Sequence, residues 1–309
     1  MDIIKIGTRG SKLALWQANH IKFLIESKTN HLCSIHVIST KGDIDLETPL
    51  PEVGDKGFFT AEIEDELIKQ NIDLAVHSTK DLPTKLNSNF IIGAIPKRGS
   101  YRDSIICNSP INCNTLLENS TIATGSIRRK LQLKSLFKNV NFVDIRGNIG
   151  TRISKLVKNN WDGVIMAEAA INRLNLDINY YSFSSNDIIP AAGQGAIAVQ
   201  ITKKHRQNID RILKAINHKP TYLAVEIERE IVDALEGGCK TPIGCLATIR
   251  KNQINVIAYL SNMNGTKSIR ISDSYSLRKK DAIINGIVNS FMEQGAKEIV
   301  EENRNKLNV

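Results

Sequence analysis

The stretch TIATGSIRRKLQLKSLFKNVNFVDIRGNIGTRISKLVKNNWDGVIM, residues 121–166, sets β-rich runs against helical ones with little chain between them. TIAT (121–124), NFVDI (141–145) and DGVIM (162–166) are short and apolar, and read as strands. IRRKLQLKSLF (127–137) and IGTRISKLVKNN (149–160) carry apolar residues at helical spacing. Strand and helix in alternation predict a mostly parallel sheet covered by helices on both faces.

The same alternation precedes this stretch. DIIKIGT (2–8), SIHVIST (34–40), IDLAVHS (72–78) and FIIGAIP (90–96) read as strands, with helices over 11–27 and 60–70. Ser11 is placed to cap the first helix and Thr60 the second. PKRGSYRDS (96–104) reads as a hinge into a second α/β unit, and IIPAAGQGAIAVQI (188–201) crosses a Gly-rich turn into an apolar strand that returns to the first. From about residue 217 the pattern becomes a helix, three short strands (243–249, 253–260, 267–272) and one long helix from about 277. That is a smaller α+β domain with a three-stranded antiparallel sheet.

A chain of 309 residues suits two or three domains, and 41% hydrophobic residues are ample for their cores. The five cysteines (Cys33, Cys107, Cys113, Cys239, Cys245) show no regular framework, which points to a reducing compartment. Cys107/Cys113 and Cys239/Cys245 are spaced too widely for a zinc pair and have no histidine beside them, so no metal is expected. The N-terminus lacks the layout of a secretion signal, and no apolar run approaches the roughly 18 residues of a membrane span. The expectation is a soluble cytoplasmic protein with no membrane partner.

Net charge is +9, with the excess in the middle and C-terminal parts of the chain. Aromatic residues are only 5%, and no helix-turn-helix, zinc-finger or RNP signature is present, which argues against a nucleic-acid partner. A small polyanionic ligand accounts better for the charge.

In open α/β sheets ligands bind beyond the carboxyl ends of the strands, where helix N-termini expose their N–H groups. The groups expected there are Arg9 and Ser11; Ser78, Lys80 and Asp81; Thr124, Ser126, Arg128 and Arg129; and Arg146 and Arg152. Arginine forks match carboxylates bidentately, so this set predicts a ligand bearing many carboxylates or phosphates. Arg128, Arg129, Arg146 and Arg152 sit at helix starts, where a cation opposes the helix dipole, a cost without evident structural benefit. Asp81, the acid of the Ser78–Asp81 turn, reads either as an ion-pair partner of these cations or as the one functional carboxylate of the cleft. RGNIG (146–150) matches neither a Walker A loop nor G-x-G-x-x-G. His77, on a buried strand, reads as a core histidine.

One further stretch stands out. In LEGGCKTPIGC (235–245), Cys239 follows two glycines and precedes Pro242 and Gly244, so its thiol is held on a short shaped loop.

Together the stretches IGTRGSKLALWQA (6–18), DKGFFTAEIE (55–64), DLAVHSTKDLP (73–83), ATGSIRRKLQL (123–133), DIRGNIGTRISKL (144–156), PAAGQGAIAV (190–199) and LEGGCKTPIG (235–244) resemble the porphobilinogen deaminase (hydroxymethylbilane synthase) family. The resemblance implies two α/β lobes like those of periplasmic binding proteins, 1–97 with 197–215 and 98–196, and a C-terminal α+β domain, 216–309. It implies a dipyrromethane cofactor joined by a thioether to Cys239, and a monomer that condenses four porphobilinogens with loss of ammonia to release hydroxymethylbilane. Asp81 is then the catalytic carboxylate, offsetting the cationic azafulvene left when ammonia departs. Arg9, Ser11, Ser78, Lys80, Thr124, Ser126, Arg128, Arg129, Arg146, Arg152, Arg173 and Gln194 hold cofactor and substrate, Phe59 stacks over a pyrrole ring, and Lys56 belongs to a mobile loop. Two positions depart from the family pattern: Gln200 replaces an acid, and Gly125 lies where many relatives carry a hydroxyl. A non-catalytic two-lobed anion-binding or sensor protein is the rival reading. It would share the lobes and arginines but would not need the Gly-Gly-Cys loop.

Overall fold

The computed structural model describes residues 3–44, 60–107, 119–235, 241–276 and 279–307. The chain begins with β1 (Ile4–Thr8), α1 (Lys12–Lys28), β2 (Cys33–Val37), α2 (Lys41–Ile44), α3 (Ala61–Ile68), β3 (Leu74–Ser78) and β4 (Phe90–Ala94). It continues through β5 (Asp103–Ile106), β6 (Thr121–Ala123), α4 (Ile127–Leu136), β7 (Asn141–Val143), α5 (Ile149–Lys158), β8 (Gly163–Ala167), α6 (Glu168–Arg173) and β9 (Tyr180–Ser182). The last part holds β10 (Ile197–Thr202), α7 (Arg206–Ile216), α8 (Lys219–Ala234), β11 (Ile243–Arg250), β12 (Gln253–Ser261), β13 (Ser268–Ser276), α9 (Lys280–Glu293) and α10 (Ala296–Leu307). Two compact units result: Met1–Gly99 with Gly195–Leu223, and Ser100–Gln194 with Ala224–Val309.

In the first unit the strand order is β2-β1-β3-β10-β4. Ser11 caps α1, its Oγ accepting from the Ala14 N–H at 3.3 Å, and Ala18, Ile21 and Ile25 recur at helical spacing on the buried face. That face packs with Ile209, Ile212, Leu213 and Ile216 of α7 against Ile4, Ile6, Leu74, Val76, Val199 and Ile201 of the sheet. Ile63 and Leu67 of α3 gather with Ala75 and Phe90 in a separate cluster. With helices over both faces, β10 is buried along its whole length and reads as an unbroken run, IAVQIT, rather than an alternating one.

The second unit has a five-stranded sheet in the order β7-β6-β8-β5-β9. Its two faces alternate along the strands: Ile105 and Ile165 pack with Leu133 and Phe183, while Ile106, Val164 and Met166 pack with Leu156 and Ile171. The same unit holds the antiparallel sheet β11-β12-β13, in which β11 and β12 turn back through Lys251 at φ 54°.

Three expectations need correction, the first being the cap at Thr60: it precedes α3 but makes no side-chain hydrogen bond to it, because its backbone, at φ −132° and ψ −22°, is not the extended one of a capping residue. Each five-stranded sheet is mixed rather than mostly parallel: β10 runs antiparallel to β3 and β4, and β5 runs antiparallel to β8 and β9. Neither inserted strand follows or precedes a sheet neighbour directly in the chain, so no single crossover connection sets its direction. The single long C-terminal helix is two helices, α9 and α10, because Gly295 between them adopts φ +88°. Among the described residues no helix is long and apolar enough to cross a membrane.

Gly244, in β11, backs onto the chain before the Gly-rich turn: a Cβ there would lie 2.6 Å from the Ile189 carbonyl oxygen and 3.0 Å from that of Pro190. The Cys245 N–H donates to the Pro190 carbonyl at 2.9 Å, so the two segments are held together. Backbone cannot move aside as a side-chain tip can. Gly244→Ala is therefore expected to lower stability by about 1 to 3 kcal/mol, the usual range for overpacking, seen as a fall in the denaturant midpoint.

Candidate functional site

Sheet direction decides which side chains share an edge. In the first unit β1 and β3 are parallel neighbours, so both end at the same edge. Beyond β1 come Arg9, partly buried, and Ser11 at the N-cap of α1; beyond β3 come Ser78 and the 3-10 turn Thr79–Asp81. Because β10 is reversed, its first residue, Ile197, pairs with Ser78, and the Ala196 carbonyl accepts from the Thr79 N–H at 3.1 Å. The Leu82 N–H closes the turn onto the Thr79 carbonyl at 3.2 Å. Lys80 is partly buried and Asp81 is exposed.

Gln17 is a residue that sequence reasoning missed. It is buried on α1, and its Nε2 donates to Ser78 Oγ at 2.9 Å, fixing the hydroxyl at the end of β3. A glutamine at an apolar position of an amphipathic helix is the one signal that pointed to it.

In the second unit β7, β6 and β8 are parallel. Thr124, buried, and Ser126 follow β6: the Ser126 N–H donates to Thr124 Oγ1 at 3.2 Å, and Ser126 caps α4 by accepting from the Arg129 N–H at 3.5 Å. Gly125 between them leaves room for backbone alone, since a Cβ would lie 2.9 Å from the Ile145 carbonyl oxygen. Arg146 and Arg152 follow β7. Asn148 caps α5, Arg152 Nε donates to the Gly147 carbonyl at 2.8 Å, and Gly147 sits at φ +111°. Arg173 ends α6, a full helix away from β8, and burial lowers its pKa to about 10.

Arg128 and Arg129 are buried, 5% and 7% exposed, and both meet Asp103. Arg128 Nη1 donates to Asp103 Oδ2 at 2.9 Å and to the Ile189 carbonyl at 2.7 Å. Arg129 reaches Asp103 Oδ1 through Nε at 2.9 Å and Nη2 at 2.7 Å, and gives Nη1 to the Ile165 carbonyl at 3.2 Å. Gln194, fully buried, donates to Asp103 Oδ1 at 2.9 Å and to the Tyr101 carbonyl at 2.9 Å. The premise that these two arginines bring no structural benefit is thus overturned. Burial alone would raise the Asp103 pKa, but the two arginine charges hold it well below the usual carboxylate range. Asp103 was not legible as a site residue because its partners lie some 25 positions along the chain.

The donor set fits a ligand bearing several carboxylates. Arg146 Nη1 is a buried guanidinium nitrogen with no hydrogen-bond partner among the described residues, an arrangement that is costly unless an anion completes it. Phe59, Lys56 and Cys239 lie outside the described residues, whereas Cys245 is fully buried in β11. Among the described residues no group of three or more His, Cys, Asp or Glu side chains is placed to hold a metal ion.

Residues 4–210 match the family described as porphobilinogen deaminase, dipyromethane cofactor binding domain, and residues 222–288 match porphobilinogen deaminase, C-terminal domain. The chain belongs to the porphobilinogen deaminase family. A porphobilinogen deaminase of Campylobacter hominis is 38% identical over 306 residues, covering 97% of this chain and 98% of that one. One from Syntrophomonas wolfei is 37% identical over 307 residues, covering 98% of this chain and all of that one. A TRAP periplasmic solute binding protein from Desulfovibrio salexigens overlays with a TM-score of 0.42 at 12% identity, covering 75% of this chain and 76% of that chain. The fold assignment rests on strand order instead.

His77 of β3, in the same porphobilinogen deaminase domain, is buried with its Nε2 unpartnered among the described residues. Burial, aided by the charge of Arg9, outweighs the polar contact with Gln200 and pushes the imidazole down to about 4. The folded protein therefore resists a proton that the unfolded chain takes up near pH 6.5. Stability from this group is complete above pH 6.5 and is lost as pH falls toward 4, by on the order of 3 kcal/mol. His77→Leu should flatten that limb of a stability-versus-pH curve measured with urea between pH 7 and 4.

Proposed function

We infer that this chain is the enzyme that condenses four porphobilinogens head to tail, with release of ammonia, onto a dipyrromethane primer to give hydroxymethylbilane. The observation that carries this reading is the arginine and hydroxyl set after β6 and β7, with Arg146 Nη1 left without a partner among the described residues, in a chain that matches the family over nearly its whole length. The rival reading, a non-catalytic anion-binding or sensor protein, is not favoured by that match. When bound, the dipyrromethane supplies the pyrrole carbon on which the chain is extended, and Cys239 is proposed to hold it through a thioether.

Each pyrrole ring brings an acetate and a propionate, so the ligand's charge grows with every addition. Arg9, Ser11, Ser78 and Lys80 in the first unit, and Thr124, Ser126, Arg128, Arg129, Arg146, Arg152, Arg173 and Gln194 in the second, are proposed to bind and orient those carboxylates or to support the groups that do. Ser126 and Ser11 cap their helices, each taking up one N–H and fixing the N-terminal turn whose remaining donors are proposed to meet anions. Phe59 is proposed to cover a pyrrole ring and Lys56 to belong to a closing loop.

Asp81 is proposed as the catalytic carboxylate. Its turn is pinned by the Thr79 and Leu82 hydrogen bonds, so its charge has a fixed origin from which to offset the positive charge that develops on a substrate pyrrole as ammonia leaves. We also propose three functional domains, 1–97 with 197–215, 98–196 and 216–309, a division supported by the separate antiparallel sheet. Action as a monomer in the cytoplasm belongs to the same proposal.

Intact mass of freshly purified protein should exceed the 34.3 kDa chain by one dipyrromethane, and peptide mapping should find the addition on Cys239. An adduct on another cysteine, or active enzyme with none, would exclude the attachment proposed. Asp81→Asn, verified as folded and loaded, should lose on the order of 10² to 10³ in turnover, while Asp81→Glu retains part of it. Turnover of the Asn variant close to the parent rate would remove Asp81 from the mechanism.

A further inference from the structure

Asp103 opens β5, and the reversed direction of that strand sets it opposite Ala167, the last residue of β8. The antiparallel insertion thus delivers a carboxylate to the edge where β6, β7 and β8 run out into the arginine-bearing loops. Its side chain is wholly buried, and both oxygens are engaged, one by Arg128 and the other by Arg129 and Gln194.

One negative charge here serves two positive ones. Neighbouring guanidiniums repel, and at the start of α4 the helix dipole adds to the cost. Stability alone does not account for the choice of charged groups here, because buried ion pairs, although they tie the arginines into the unit, are often no better than apolar residues of the same size. A single carboxylate between two arginines leaves the group with net positive charge in a fixed geometry, and that suits capture of a second carboxylate from outside.

We infer that Asp103 is a positioning residue, locking Arg128 and Arg129 side by side as a net-positive pair for the carboxylates of the dipyrromethane. The inference rests on the reading that these two arginines help to hold that group. Gln194 braces the pair from the far side, its Nε2 on Asp103 and its Oε1 accepting from Arg129 Nη2 at 3.4 Å. Asp103 meets no ligand itself and acts only through the arginines.

The test uses full-length chains made without porphobilinogen and then supplied with it, with loading followed by intact mass against the bare 34.3 kDa chain. Asp103→Asn is compared with the parent and with Leu156→Ala, a core change in the same unit, and the unfolding midpoint of each is recorded. Asp103→Asn is expected to load on the order of 10²-fold more slowly than the parent, the usual effect of misplacing binding groups by about 1 Å. Leu156→Ala should load at the parent rate despite an equal or larger fall in midpoint. Parental loading by Asp103→Asn overturns the inference, as does slowing of Leu156→Ala to the same extent.

Arg128→Gln and Arg129→Gln separate the two levels. If both load at the parent rate, the reading beneath the inference fails and takes it along; if they load slowly while Asp103→Asn does not, the inference alone fails. Should Asp103→Asn not fold, Asp103→Glu keeps the charge but moves it by one methylene, and slow loading is expected again. If neither variant yields folded protein, Asp103 is structural and the inference is overturned.

Discussion

Neighbouring parallel strands need a crossover between them, usually a helix, and parallel strands end together. This constraint organises both sheets: β1 and β3 release their loops at one edge, and β6, β7 and β8 release theirs at another. Helix N-termini start at those same edges, so N–H groups, caps and arginines accumulate there without any need for one to follow another in sequence. The reversed strands then add something the parallel ones cannot. A strand running the other way begins where its neighbours end, and so β10 and β5 bring the Gly-rich turn and Asp103 to the edges already described.

Two buried arginines on one helix turn would be untenable alone. Asp103 makes them tolerable, and the carbonyls of Ile165 and Ile189 take further donors. Ile189 also backs onto Gly244, and Gln132 of α4 binds the same residue, donating to its carbonyl at 3.0 Å and accepting from its N–H at 2.8 Å. The arginine pair, the segment before the Gly-rich turn and the antiparallel sheet are therefore linked within one compact unit. Glu228 extends the link, accepting from the Gly193 N–H at 2.7 Å and from the Ala247 N–H at 2.8 Å.

The first unit solves a milder problem with neutral groups. Gln200 stands where the family resemblance predicts an acid, and its amide donates to Glu64 at 2.7 Å. An acid at that position would confront Glu64 with a second carboxylate, and like charges at such range cannot both ionise. Burial already raises the Glu64 pKa, with Asp65 adding to the rise and the Gln200 hydrogen bond opposing it. The glutamine thus spares the unit a shared proton beside a histidine that is itself held neutral.

By itself the sequence determined the alternation of strands and helices, the separate antiparallel sheet, the cap at Ser11 and the family, because each is written in local spacing, in short turns or in contiguous motifs. Gly295 was visible too, but whether one glycine ends a helix depends on the φ it adopts, and two helices rather than one came of it. Strand direction was not legible, since nothing local in IAVQIT or DSII distinguishes a parallel neighbour from an antiparallel one once both faces are buried. Nor were the partners of the arginines. A guanidinium at a helix start looks alike whether it faces water or a carboxylate from a strand 25 residues away, and only tertiary packing, by reversing β5, put Asp103 within 2.9 Å of Arg128.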